Sequence, residues 1–181
     1  RHAHRLDVAG AALLSVAVVS ALLAVRSPAA GLLALPAGVL ALAAFLAVER
    51  RAPEPLLPLD LFQDRVIAVS SATNALLGAA MLGMVTFVPL WVQSVLGGSP
   101  TEAGGAIAPM AVGWPIFSAL SGRLLPRTGY RALIRTGLAL TALSGVALAV
   151  LLRPGVPLLL PQALAFAYGA GMGTASTPLV I

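Results

Sequence analysis

Apolar residues run along this chain in six blocks, and the short clusters between the blocks carry every charged side chain. The blocks occupy residues 8–25, 27–48, 66–101, 103–122, 136–152 and 154–181. A helix needs roughly 20 apolar residues, within a range of about 17–25, to cross the hydrocarbon core of a bilayer, so each block suffices for one crossing. The pattern predicts an all-α integral membrane fold, a polytopic helical bundle of about six transmembrane helices with almost nothing between them.

The third block is long because it carries a loop. Leu96-Gly97-Gly98-Ser99-Pro100 pairs glycines that end one helix with signals that start the next. Ser99 suits the cap, Pro100 suits the first helical position, and Glu102 follows Ser99 by three residues, which together spell a capping box. Ser27-Pro28 opens the second helix by the same logic. The connection at 49–65 reads as a proline-rich hinge through Pro53, Pro55 and Pro58. A short interfacial helix follows, placing Leu59, Leu61 and Phe62 at the membrane surface.

Charge orients the bundle. All 11 basic residues are arginines. Arg1, Arg5, Arg50, Arg51, Arg65, Arg123, Arg127, Arg131 and Arg135 fall in the segments 1–7, 49–65 and 123–135, whereas the alternate connections hold only Arg26 and Arg153. Under the positive-inside rule the first set is cytoplasmic, and every helix then crosses in alternating sense. Composition agrees: 59% of residues are hydrophobic and 9% charged, with a mean hydropathy of +0.98, against roughly 45–50% and 25% in soluble domains. So few polar side chains cannot build a water-facing surface, and the outside is expected to face lipid. The first 25 residues do not read as a signal peptide, because no small-residue cleavage site follows Val25 and further spans come directly after. With no initiator Met and an apolar run at Ile181, the chain reads as a piece of a longer one. The absence of Cys excludes disulfide frameworks and thiol chemistry.

Gly122-Arg123-Leu124-Leu125-Pro126-Arg127-Thr128-Gly129-Tyr130-Arg131 predicts a tight glycine turn flanked by guanidinium groups between the fourth and fifth helices. The pattern G-x-L-x-x-R-x-G-x-R resembles the cytoplasmic loop signature of the major facilitator superfamily. There it joins the second and third helices of a six-helix half and latches the halves in one access state. Pro126 stands where that signature usually has an acidic residue, so a carboxylate latch is not expected here, and the copy resembles the weaker one of a second half. The plain alternative is an arginine-rich turn set by topology alone. Glu49 to Arg65, Asn74, Phe87-Val88-Pro89-Leu90-Trp91-Val92-Gln93 and Gly97-Gly98-Ser99-Pro100 with Ala103-Gly104 look like the fourteen-helix drug:proton antiporter branch of that superfamily. The resemblance divides the chain into a two-helix insert between transporter halves at 1–48, a cytoplasmic linker at 49–65, and the first four helices of the C-terminal half at 66–181.

Pro89, Pro109, Pro115 and Pro161 interrupt apolar runs, which membranes tolerate only where neighbouring groups or water satisfy the freed carbonyls. Small residues recur every fourth position at Gly137, Thr141, Gly145 and Ala149, and again at Gly169 and Gly173, permitting close helix approach in a carrier or a static bundle alike. Candidates to line a substrate pocket are Trp114 and Tyr168, aromatics at mid-depth, with Asn74, Met81, Gln93 and Gln162 along the same path. Interhelical hydrogen bonding explains the amides equally well. Trp91 reads as an interface belt residue. The glycine run Gly169-Ala170-Gly171-Met172-Gly173 lies within a span, without the strand a phosphate loop requires. His2-Ala3-His4 lacks a third metal ligand.

No Asp, Glu, His or Arg lies deep in any block, so a coupling residue belongs elsewhere in the protein. No catalytic residues, metal or cofactor are expected, since neither a nucleophile-base pair nor a paired carboxylate falls in a span. The expectation is a multi-pass efflux carrier of small amphipathic compounds or drugs working by alternating access. Its partners would be the lipid bilayer, a small-molecule substrate and the remaining helices of its own chain, with no nucleic acid. Proton coupling is implied by the resemblance only. The abundant Ala and all-arginine basic set suggest a bacterial cytoplasmic membrane. A metabolite, sugar or siderophore exporter on the same scaffold, and a non-transporting membrane subunit or enzyme module, remain the alternatives.

Overall fold

A computed structural model describes residues 7–26, 28–52, 57 and 59–180. Arg1, His2, His4, Arg5, Ser27, Pro53, Glu54, Pro55, Leu56, Pro58 and Ile181 lie outside the described residues. Helices occupy Val8–Arg26 (α1), Pro28–Glu49 (α2), Arg65–Val95 (α3), Pro100–Thr128 (α4), Tyr130–Leu151 (α5) and Leu159–Val180 (α6). A 3-10 helix at Leu59–Gln63 precedes α3, with Leu61 and Phe62 exposed. The helices sit on the six apolar blocks; α4 and α5 run past theirs, and α3 and α4 are the longest. Their 31 and 29 residues reach about 45 Å at 1.5 Å per residue, well beyond a hydrocarbon core of about 30 Å. The chain divides into two compact units, residues 1–68 and 69–181.

In the first unit α1 and α2 form an antiparallel hairpin. A side chain at Gly31 would meet the Ala24 carbonyl at 3.0 Å, and one at Gly38 would meet Ser20 at 3.2 Å. Small residues at these crossings let two backbones approach where lipid offers no hydrophobic drive to associate. Phe45 is buried, while Leu22, Leu32 and Leu33 are exposed. A hairpin apolar on almost every face suits a hydrocarbon solvent.

In the second unit α6 is the centre. It runs parallel to α4: Gln162 Nε2 donates to the Gly105 carbonyl (3.3 Å), Ser121 Oγ to the Thr174 carbonyl (2.9 Å), and the Ser118 and Thr177 hydroxyls bond to each other (2.8 Å). It runs antiparallel to α5. A Cβ at Gly137 would stand 2.5 Å from the Ala175 nitrogen and 2.7 Å from the Gly171 carbonyl, and one at Gly171 would strike Thr141. On the other side, side chains at Gly169 and Gly173 would collide with the Met110 and Trp114 carbonyls. The two small-residue stripes expected from sequence thus do bring backbones together, with Gly137 and Thr141 facing α6 and Gly169 and Gly173 facing α4.

Five helices, α1 to α5, are long and apolar enough to cross a membrane. The sixth, as long as α5, is not among them. Its position accounts for this, because residues 168–173 and Ala175 are all buried against α4 and α5, and a helix shielded from lipid can spend its surface on Gly, Ser and Thr.

Candidate functional site

The connections place the chemistry. Between α3 and α4, Gly97 takes φ 66° and Ser99 caps α4. Its hydroxyl accepts from the Glu102 N–H, and the Glu102 carboxylate accepts from the Ser99 N–H at 2.7 Å, so the capping box is complete. Between α4 and α5 the structure differs from the expected loop at 123–135. Both helices continue through it and only Gly129 joins them, at φ 76° and ψ 161°, backbone space essentially restricted to glycine. Its N–H closes on the Leu125 carbonyl at 3.0 Å. Arg123 and Arg127 therefore ride the last turns of α4, Arg131 and Arg135 the first turns of α5, and all four are exposed. Arginine is a good helix former with a stem long enough to reach water from a helix end, so charge here does not break the helix.

A concavity lies between α3 and α5, an apolar groove of about 1040 Å³. Its walls follow helical spacing: Thr73, Leu77, Ala80, Met84, Phe87, Trp91 and Ser94 on α3, and Leu138, Thr141, Gly145, Leu148 and Leu152 on α5. Tyr168 of α6 forms the floor. It is 4% exposed, its ring lies 3.6 Å from where a Gly145 Cβ would stand, and its hydroxyl has no hydrogen-bond partner among the described residues.

The six sequence-derived pocket candidates are not gathered in this groove; only Tyr168 lines it. Met81 and Trp114 are half-buried and pack against the core of the unit. Asn74 is half-buried on α3. Gln93 is exposed and reaches the Pro89 carbonyl of its own helix at 3.5 Å. Gln162 is engaged in the α4–α6 seam. Trp91, expected in an interface belt, packs half-buried against the core and lines the groove. The α3 wall carried a signal in its positions at every third or fourth residue, but in a block apolar on all sides nothing distinguishes that stripe from a lipid-facing one.

In the first unit, Asp7 Oδ1 accepts the Gly10 N–H at 2.8 Å, while Glu49, 2% exposed, accepts the Leu57 N–H through Oε1. Among the described residues no group of three or more His, Cys, Asp or Glu side chains gathers as for a metal.

No family model matches the chain. Curated relatives do. The "Multidrug transporter protein MdtP" of Bacillus subtilis is 32% identical over 146 residues, covering 75% of this chain and 27% of the relative. The "Tetracycline resistance determinant" of Streptomyces rimosus is 40% identical over 134 residues, 68% of this chain and 38% of the relative. The "Multidrug resistance protein B homolog" of Mycobacterium tuberculosis is 32% identical over 184 residues, 96% of this chain and 34% of the relative. The chain thus spans about a third of the length of these relatives. Two further matches, at 36% identity, are named MFS-type transporters. With its multi-pass apolar helices, its one-glycine turn between arginine-bearing helix ends and these matches along most of its length, the chain belongs to the major facilitator superfamily.

Proposed function

We propose that the chain is part of an efflux carrier that exports small amphipathic compounds, drugs among them, from the bacterial cytoplasm by alternating access. The observation that carries this reading is the similarity, over 68% to 96% of the chain, to proteins named for multidrug and tetracycline resistance. The puromycin resistance protein of Streptomyces alboniger, 36% identical over 74% of the chain, points the same way. Residues 1–48 form the insert between halves, 49–65 the linker and 66–181 the opening helices of the second half. The arginine-bearing turn at Gly129 then lies on the cytoplasmic face, following the excess of positive charge there.

On this reading the half-buried Asn74 and Met81 and the exposed Gln93 on α3, with the half-buried Trp114 on α4, line the transport path. The binding site sits near the midplane, and the halves rock around it. Protons entering the cell drive export, through a coupling group outside residues 1–181, since no charged side chain lies deep in the described spans. The full-length carrier is tested in inverted membrane vesicles loaded by respiration, with tetracycline, puromycin and ethidium as probes. Uptake that collapses on adding a protonophore is expected. Uptake of none of the three removes the drug-efflux reading, and uptake that survives the protonophore removes the coupling.

A further inference from the structure

The α1–α2 hairpin brings two acids to one end. Asp7 precedes the first residue of α1 and Glu49 is the last of α2, so the antiparallel pairing puts both at the same end of the hairpin. Each has one oxygen in use: Asp7 Oδ1 accepts the Gly10 N–H at 2.8 Å, and Glu49 Oε1 accepts the Leu57 N–H. The other oxygen of each, Asp7 Oδ2 and Glu49 Oε2, is buried and has no hydrogen-bond partner among the described residues. Both lie against one spot, since a Cβ at Gly10 would stand 2.5 Å from Oδ2 and 3.1 Å from Oε2. Gly10 is what leaves the two carboxyl groups room to converge.

Among the described residues no cation neutralises them. The other charged side chains of the unit, Arg26, Arg50, Arg51, Asp60, Asp64 and Arg65, are all exposed, and none bonds to either acid. Asp60 accepts from the Gln63 amide, and Asp64 accepts the Val66 N–H. Two carboxylates confined to one buried spot disfavour being ionised together, because burial and like charge both act against the second anion. Both bare oxygens are shut off from solvent, which leaves no room for a metal ion with the roughly six or more oxygen ligands that hard cations take. A proton needs no such room. The helix ends indicate which acid keeps its charge. Asp7 sits at the N-terminus of α1, where backbone N–H groups favour an anion, and Glu49 at the C-terminus of α2, where unpaired carbonyls disfavour one. Glu49 is also the more deeply placed, at 2% exposed.

We propose that Asp7 and Glu49 hold one proton between them at neutral pH, carried on Glu49 Oε2 and directed at Asp7 Oδ2, which makes this end of the hairpin a proton-binding site. One hydrogen then satisfies both bare oxygens. Glu49 Oε1 still accepts from Leu57 and fastens the chain after α2 to the hairpin. As pH rises and the proton leaves, two anions face each other across Gly10 and that fastening loosens. The site lies at helix ends, away from the middle of any span, and it requires neither a substrate nor a coupling step, so it stands apart from the transport reading.

The test uses the purified full-length carrier, with protons as the only probe. Infrared difference spectra between neutral and alkaline pH are expected to contain a protonated-carboxyl C=O band that disappears as pH rises and is missing from Glu49→Gln. A band of unchanged intensity in Glu49→Gln overturns the proposal. Asp7→Asn removes the neighbouring charge and leaves Glu49 in place, so the pH at which the band disappears should fall. An unmoved midpoint means that Asp7 has no part in holding the proton, and overturns the pair. Hydrogen exchange of the peptide containing Leu57 reads the fastening, with wild type and Glu49→Gln compared at the same pH so that intrinsic exchange rates cancel. The two should exchange alike at neutral pH, and wild type several-fold faster at alkaline pH; equal exchange at alkaline pH overturns the link between the proton and the chain after α2. Glutamine keeps the shape and both hydrogen-bonding roles of the protonated acid, so the variant is expected to fold. Should it not, the Asp7→Asn spectra decide alone.

Discussion

Gly137 has no room for a side chain, because the atoms that a Cβ would meet are the Ala175 nitrogen and the Gly171 carbonyl. Backbone atoms cannot swing aside as a side chain would. Gly137→Val is therefore expected to cost about 1–3 kcal/mol, the usual range for overpacking, read as a lower melting temperature of the detergent-purified carrier. Gly104 on α4 has nothing within 4 Å of its would-be Cβ, so Gly104→Ala should leave stability unchanged or raise it by up to about 1 kcal/mol through helix propensity. Ser121 offers a different contrast. Although it is 1% exposed and bonds across to the Thr174 carbonyl, Ser121→Ala should cost only about 0.6 kcal/mol, as interhelical hydrogen bonds in membranes average. These contacts were partly legible in advance. The four-residue recurrence of small side chains marked Gly137, Thr141, Gly169 and Gly173 as approach points. It could not show that Gly145 and Ala149, in the same stripe, border a groove, because spacing names a face and not what covers it.

At the scale of elements the helix ends decide topology. Charge clusters reveal where spans stop being lipid-compatible, which is why six helices could be placed and why the Ser99–Glu102 capping box was readable residue by residue. They do not reveal where helices end. The segment 123–135 read as a loop by its arginines, yet it is helical except at Gly129. Gly129→Ala should strain the connection by about 1–3 kcal/mol, since its φ of 76° and ψ of 161° suit glycine alone, and loss of stability exceeding that of Gly104→Ala checks it. In the proposed topology the exposed arginines hold orientation. Replacing Arg123, Arg127, Arg131 and Arg135 together by Gln should let a fraction of the α4–α5 hairpins insert inverted. A phosphatase reporter fused after residue 129, inactive on the cytoplasmic side, would gain activity; an inactive fusion would show that other segments set the topology.

At the scale of the whole molecule, α6 ties the packing of the second unit to its solubility in lipid. It holds Gln162, Tyr168, Thr174 and Thr177, of which Gln162 and Thr177 bond across to α4 and Thr174 bonds the Ala170 carbonyl of its own helix, and it presents glycine to both α4 and α5. The features that make it a good central helix make it a poor solitary span, and it alone among the six is not among the helices long and apolar enough to cross a membrane. Transfer into the bilayer is paid residue by residue on the insertion scale, where Leu, Ile, Phe and Val contribute about −0.3 to −0.6 kcal/mol each at the helix centre. A helix rich in Gly, Ser and Thr gathers less of that drive. Placed alone in a reporter flanked by glycosylation sites, residues 159–180 should therefore insert less efficiently than residues 8–26 or 28–49, and efficiency should rise when residues 100–151 precede them. The rise is the informative part. It would arise because α4 and α5 offer the carbonyls and small-residue faces that α6 meets in the fold, so that insertion and packing become one step. Equal insertion with and without α4 and α5 would mean that α6 enters the membrane unaided and that its polar face serves assembly only afterwards.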